Sequence, residues 1–216
     1  MANWLASSRR FVTFAQTFQD KIRKKIRTTP EQENLLDLQL ELETAYLLLR
    51  ERSLSVAYEP EMSKGMRNPD FAVSFTTSHT FMLEVTRIQA DAKSTLEARL
   101  ADTIADKLGQ LLPQRSNALL VGVESAAPDQ DDLRRALLGI QQRAERNDVT
   151  FLQRHGFRDR ADFFRHYQRL SEIVVRKPQI GTANFVETWI NPQAKHPLPG
   201  KVRTAFFRSH NAPAER

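Results

Sequence analysis

Asp70 and Glu84 are the two residues around which chemistry could gather. Asp70 stands in Asn68-Pro69-Asp70-Phe71-Ala72-Val73-Ser74-Phe75 and Glu84 in Phe81-Met82-Leu83-Glu84-Val85-Thr86, with Thr76-Thr77-Ser78-His79 between the two runs. The pattern predicts an antiparallel hairpin over Asp70–Phe75 and Thr80–Arg87. Directly opposed residues of such a hairpin share a face, with Cβ atoms about 5 Å apart. The link holds neither Gly nor Asn, which disfavours a two-residue type I′ turn. A three-residue loop at Thr76–Ser78 places Asp70 opposite Glu84. A loop at Thr77–His79 places it opposite Thr86, still on the face of Glu84, whereas a two-residue loop would put the carboxylates on opposite faces. Carboxylates that converge repel unless one is protonated or a cation lies between them. Oxygen ligands alone favour a hard ion such as Mg²⁺ or Mn²⁺, which can polarise a phosphodiester and activate water. The plainer account has Asp70 opening a turn after Pro69 and Glu84 on a solvated strand face.

Two helices carry polar residues where apolar ones are expected. On the first, Leu35, Leu36, Leu38, Leu40, Leu42, Ala45, Tyr46, Leu47 and Leu49 form a broad apolar arc. Glu43 falls inside that arc and Glu41 near its border. A carboxylate aimed at a core is costly unless paired, protonated or bound to metal. Glu43 is therefore the expected third acid, with Glu41 as second choice. On the second helix, Leu96, Leu100, Ala101, Ile104, Leu108, Leu111 and Leu112 make a buried stripe that Lys107 and Glu97 interrupt. Thr103, Lys107 and Gln110 line one edge. A lysine aimed at the sheet can orient water or offset charge in a phosphoryl transition state. The alternatives are an acid snorkelling at the arc edge, a Lys stem lying over apolar surface with its amine in water, and a Glu97 paired with a basic neighbour.

The elements that must position these residues follow from periodicity. Thr29 as N-cap and Pro30 at the first helical position start a helix over Glu31–Arg52. Leu54–Tyr58 is a strand, the hairpin follows, and Lys93–Leu112 is a helix closed by Pro113. Ala118–Val123 is an apolar run typical of a buried strand. Helices at Asp129–Arg146 and Asp159–Leu170 precede strands at Glu172–Val175 and Phe185–Ile190. From Asn191 the chain is proline-rich and reads as irregular. The order is that of an α/β domain.

Charge bounds the partners. The 216 residues carry 32 Lys and Arg against 26 Asp and Glu, a net charge of +6; the pI is about 9.8 and the mean hydropathy −0.51. The excess favours polyanions, either nucleic acid or an acidic membrane. No apolar run approaches the roughly 20 residues of a spanning helix, and the absence of cysteine excludes disulfides, thiolate zinc sites and a Cys nucleophile. Ser8–Arg27 reads as a basic amphipathic helix, with Phe11, Phe14, Ala15, Phe18, Ile22 and Ile26 on one face. Its Arg9, Arg10, Lys21, Lys24 and Lys25 could contact phosphates, although a packing helix with a solvated cationic face, or one resting on a membrane, fits the same pattern. Arg158 and Arg165 stand in a run where Phe157, Phe163, Phe164 and Tyr167 alternate with arginines. That mixture suits either nucleic-acid stacking or a small helical core with a charged exterior. The five histidines lack ligand spacing, His79 and His196 are expected to face solvent, and no Gly-rich phosphate loop is present.

The order helix–strand–strand–strand–helix–strand, with Glu41/Glu43, Pro69-Asp70 and Glu84-Val85-Thr86, resembles the PD-(D/E)xK nuclease superfamily over about Glu31 to Glu124. The resemblance implies a restriction-endonuclease-like core with a mixed sheet, to which the residue pattern adds an N-terminal amphipathic helix and additional C-terminal helices and strands. It implies Asp70 and Glu84 as ligands of Mg²⁺ or Mn²⁺, with Glu43 or Glu41 as auxiliary ligand. Thr86 occupies the place of the family lysine. Some members supply that lysine from the following helix, which makes Lys107 the substitute; Arg87 points to the opposite strand face. The expected organisation is a basic helix over 1–30, a nuclease-like domain over 31–190 and an irregular segment over 191–216. The expected function is metal-dependent hydrolysis of nucleic acid in the cytoplasm, DNA ahead of RNA, with a second copy of the chain as a further partner and a membrane surface last. The alternative is an inactive nuclease-like fold that binds nucleic acid or serves assembly.

Overall fold

The computed structural model describes residues 2–28, 32–62, 67–89, 94–124, 130–177 and 186–211. Four helices come first: Ala2–Ser7 (α1), Arg9–Thr17 (α2), Gln19–Thr28 (α3) and Gln32–Arg50 (α4). The expected single helix over Ser8–Arg27 is thus corrected. Ser8 is extended, and its side chain accepts from the Phe11 amide as an N-cap; Phe18 departs from helical geometry between α2 and α3. Thr29, Pro30 and Glu31, expected to start α4, lie outside the described residues.

Leu54–Tyr58 (β1), Phe71–Phe75 (β2) and His79–Ile88 (β3) form an antiparallel meander. Leu96–Leu108 (α5) leads to Asn117–Val123 (β4), which pairs parallel to β3. Gln130–Glu145 (α6), Val149–Arg154 (α7) and Arg160–Tyr167 (α8) lead to Leu170–Arg176 (β5), parallel to β4. Val186–Ile190 (β6) pairs antiparallel with β5, and Gly200–Asn211 (α9) follows. The described strands make one mixed six-stranded sheet in sequential order. The class is α/β. The expected starts at Lys93, Asp129 and Phe185 fall outside the described residues. Helix α7 was not foreseen: it is short and is set by Asp148, whose side chain accepts from the Phe151 amide.

The irregular end is corrected too, because α9 occupies much of it. Pro192, Pro197 and Pro199 all precede the helix, and the Pro199 carbonyl accepts from Arg203 N in its first turn. Val202, Ala205, Phe206, Ser209 and His210 are buried at helical spacing.

The sheet separates two cores. Leu83, Val85, Leu120 and Val174 face α2, α4 and α9. Leu119, Val121, Ile173 and Val175 face α5 through α8. Burial on both faces explains the apolar run Ala118–Val123 of β4 and the shorter run Ile173–Val175 of β5. Phe11, Phe14 and Ile22 of the basic segment are buried in the first core and Phe18 packs against it, so most of its apolar stripe is spent on packing, with Ile26 left exposed. Phe157, Phe163 and Tyr167 are likewise core residues of the second. No described helix is long and apolar enough to cross a membrane.

Candidate active site

The hairpin register decides the site. Phe71 pairs with Leu83 and Phe75 with His79, so Thr76–Ser78 form the loop. One residue further out, this register sets Asp70 across from Glu84. Phe71 and Leu83 belong to the first core, so alternation turns Asp70 and Glu84 toward α5. Asp70 is fixed by accepting the Val85 amide on Oδ2 at 2.7 Å.

Lys107 of α5 reaches the pair. Its Nζ lies 3.4 Å from Glu84 Oε2 and donates to Gln110 Oε1 at 3.1 Å. Glu97, the other interruption of that stripe, pairs with Arg135. Thr86 shares the Glu84 face at the place where the resemblance puts a lysine. Arg87 points the other way, as alternation requires, into ion pairs with Glu33, Asp37 and Glu124.

Electrostatics mark this pair. Burial and then the Glu84 charge push Asp70 up to about 6, against the Val85 amide, Lys107 and Lys25. Burial raises Glu84 as well; Lys107 and the exposed Arg67 oppose the shift, and Glu41 adds to it. Each group is harder to ionise than in water, which is the condition that a cation between them would relieve.

Of the two glutamates of α4, Glu41 rather than the expected Glu43 turns toward Asp70. Residues two apart on a helix point about 200° apart at 3.6 residues per turn, so only one of them can face this end of the sheet. Glu41 accepts from Lys25 at 2.8 Å and from the Tyr58 hydroxyl at 2.6 Å. Its pKa is raised by burial and by Asp70. Glu43 instead accepts from Arg176 at 2.5 Å and lines a separate cleft with Arg87 and Glu124. Among the described residues no three metal-ligating side chains lie close enough to hold an ion. The expected three-acid set of Glu43, Asp70 and Glu84 therefore reduces to the pair. That pair fits a hard divalent cation, because Mg²⁺ is commonly held by one or two carboxylates, with waters and substrate phosphates completing its shell.

The basic residues divide. Lys21, Lys24 and Lys25 line an opening of about 410 Å³ beside Asp70 and Asn68. Lys24 is exposed. Lys21 donates to the carbonyls of Tyr58 and Glu59. Lys25 is held by Glu41 and Glu59; burial acts to lower its pKa, but these carboxylates outweigh that and raise it. Arg9 is exposed, whereas Arg10 turns inward to the carbonyls of Leu49, Glu51 and Leu54. Arg158 and Arg165 both pair with Asp162 at α8 and do not line the opening. Sequence reasoning missed Tyr58 and Arg67. The first read only as the end of a strand, and the second sits in a polar loop without a pattern.

In comparison with known proteins, no family model matches the chain, no curated protein matches it, and no solved structure matches it.

Proposed function

We propose that the protein is a divalent-metal-dependent phosphodiesterase acting on nucleic acid, DNA ahead of RNA, through a PD-(D/E)xK-like site. One observation carries the reading: Asp70 and Glu84 face each other across the β2–β3 hairpin, both harder to ionise than usual, with Lys107 Nζ 3.4 Å from Glu84. Asp70 and Glu84 would hold Mg²⁺ or Mn²⁺, which when bound supplies Lewis acidity toward a phosphoryl oxygen and acidifies water. Lys107 brings a fixed positive charge to the oxygens on which negative charge grows during displacement, and a donor that orients the attacking water. It does so from α5 rather than from position 86 of β3. Glu41 acts as a positioning residue: it holds Lys25 and Tyr58 at the edge of the opening. Lys21 and Lys24 flank that opening, where neighbouring phosphates of a strand would pass.

A second reading, a nucleic-acid-binding or assembly module without catalysis, is favoured by Thr86 at the lysine position and by the pairing of Glu41 with Lys25 rather than with the other acids. A cleavage assay separates the two. Mg²⁺- or Mn²⁺-dependent cleavage that disappears in Asp70→Ala and in Glu84→Ala is the expected result. Cleavage that survives both substitutions overturns the enzyme reading. Binding without cleavage under either metal favours the module.

A further inference from the structure

Arginines gather where the start of α2, the end of α4 and the end of α9 meet. Arg9, Arg10, Arg50, Arg52 and Arg208 line an open cleft of about 460 Å³, with Glu51 as its acidic side chain. Five guanidinium groups against one carboxylate make this wall strongly positive. Arg10 explains why the charge is held here. It donates to the carbonyls of Leu49 and Glu51 at 2.6 and 2.9 Å, and to that of Leu54. The Leu49 and Leu54 carbonyls would otherwise be left over at the end of α4 and on the edge of β1, while that of Glu51 also accepts from the Leu54 amide at 3.0 Å. Neutral carbonyls fix the guanidinium without cancelling its charge. Glu51 is itself engaged, by the Ser53 hydroxyl at 2.8 Å and by Arg208 at 3.3 Å. Arg9 and Arg52 are exposed and pair with no carboxylate among the described residues. The hydroxyls of Ser7 and Tyr46 meet at 3.0 Å on the same wall.

The position of the cleft matters as much as its charge. Arg10 binds the carbonyl of Leu54, the first residue of β1, and Lys21 binds that of Tyr58, the last. The arginine cleft and the lysine-lined opening beside Asp70 therefore lie at the two ends of one edge strand. Four residue steps at about 3.3 Å separate them by about 13 Å. That is about four phosphates along one strand of a duplex. Helices α2 and α3 run between, with Phe11, Phe14 and Ile22 buried, so that most of their apolar side is covered, while Ile26 near the end of α3 is exposed. An interfacial membrane helix needs that apolar side free, so the charge complementarity here suits a polyanionic strand rather than a lipid surface.

We propose that the arginine cleft is a second phosphate-binding station that takes the sugar–phosphate backbone of a nucleic acid and leads the strand along α2–α3 toward Asp70 and Glu84. The direction of travel rests on the proposed function; the binding itself does not. The test uses the full chain and a labelled duplex without divalent metal, with affinity measured over a series of NaCl concentrations. Arg9→Gln/Arg52→Gln, which disturbs no described ion pair, is expected to weaken binding and flatten the slope of log K against log salt by about 1.8, at about 0.9 for each phosphate no longer neutralised. Adding Arg208→Gln takes the change to about 2.7. Arg9→Lys/Arg52→Lys keeps the charge and is expected to retain the wild-type slope. An unchanged slope in the Gln double variant overturns the proposal. So does loss of binding to phosphatidylserine-containing vesicles in that variant while duplex binding stays intact, since the cleft would then serve a membrane. Failure of the enzyme reading is seen separately, as cleavage that Asp70→Ala does not abolish.

Discussion

Lys107 and Thr86 pose the sharpest question at the scale of single residues, because a charge that the resemblance places on β3 is delivered here from α5. The Lys107 amine lies 3.4 Å from Glu84 Oε2, a contact long enough to leave donor capacity for a substrate oxygen. Removing one preorganised donor from a site of developing charge costs about 10²–10³ in turnover. Lys107→Met is therefore expected to lower Mg²⁺-dependent turnover by about 100-fold while nucleic-acid affinity changes little. Thr86 lies two residues past Glu84 on the same strand face. Thr86→Lys in the Lys107→Met background is expected to recover at least about tenfold of the lost turnover. Single-turnover cleavage of all three variants checks this, and an inactive double variant would count against interchangeable lysine positions. Lys107 was legible in the sequence because α5 has one narrow buried stripe that a lysine visibly interrupts. The shared face of Asp70 and Glu84 was legible because Thr76-Thr77-Ser78-His79 lacks the Gly or Asn that would shorten the loop and flip one carboxylate; the register that sets them opposite each other came from the fold.

Among the elements, α4 carries the most consequence. It touches β1, β3, α2, α3 and α9, and Leu38, Leu40, Leu42, Ala45, Leu48 and Leu49 are all buried. A helix surrounded on several sides has no single apolar face, so its wheel could not tell whether Glu41 or Glu43 turned to the site. Packing decided: Glu43 met Arg176, and Glu41 met Tyr58 and Lys25. Tyr58 ties β1 to α4 within an aromatic cluster with Phe14, Phe18 and Phe71. A hydrogen bond to a charged group contributes about 1.5–3 kcal/mol. Tyr58→Phe keeps the ring packing and removes only that bond, so urea denaturation is expected to show a loss of about 2 kcal/mol. A variant as stable as wild type would show that Glu41 is adequately satisfied by Lys25 alone. The same logic explains α9. Its buried spacing was present in the sequence, but the prolines before it drew the whole segment toward an irregular reading; only the groove between α4 and the sheet made Val202 and Phe206 core residues.

Across the molecule, ionisation shapes stability in an uncommon direction. Asp70 is pushed up to about 6 by burial and by Glu84. Glu172, at the start of β5, is pushed up to about 7 by burial, against Arg203. In both cases the folded form binds its proton more tightly than the unfolded chain. Each group therefore costs stability as pH rises from its unfolded value toward its folded one, and that cost persists above it. His210, on the buried face of α9, works oppositely: burial and then Arg176 lower it to about 3, so stability is lost as pH falls below about 6.5. Between pH 5 and 7 the two carboxylates outweigh the histidine, and stability is expected to fall as pH rises through that window. Glu172→Gln is expected to gain about 1–3 kcal/mol at pH 8, with the gain vanishing near pH 4. Adding Mg²⁺ at pH 8 is expected to recover the Asp70 share in wild type and not in Asp70→Asn. Thermal melts at three pH values, with and without the ion, test both. A wild-type midpoint that climbs steadily from pH 5 to 8 would contradict the account.

The sequence by itself determined what neighbouring residues can settle among themselves: the six strands, the long helices from α4 to α6, the strand face that Asp70 and Glu84 share, and the net positive charge. Periodicity and turn chemistry act over a few residues, so a few residues suffice to read them. Only the tertiary structure decided which glutamate of α4 faces the pair, that Arg10 is spent capping α4 and β1, that Arg158 and Arg165 belong to Asp162, and that arginines from three separated segments share one cleft. Those outcomes depend on partners distant along the chain. A charged side chain is directed by the counter-charge or carbonyl that packing brings within reach, and no local pattern encodes it.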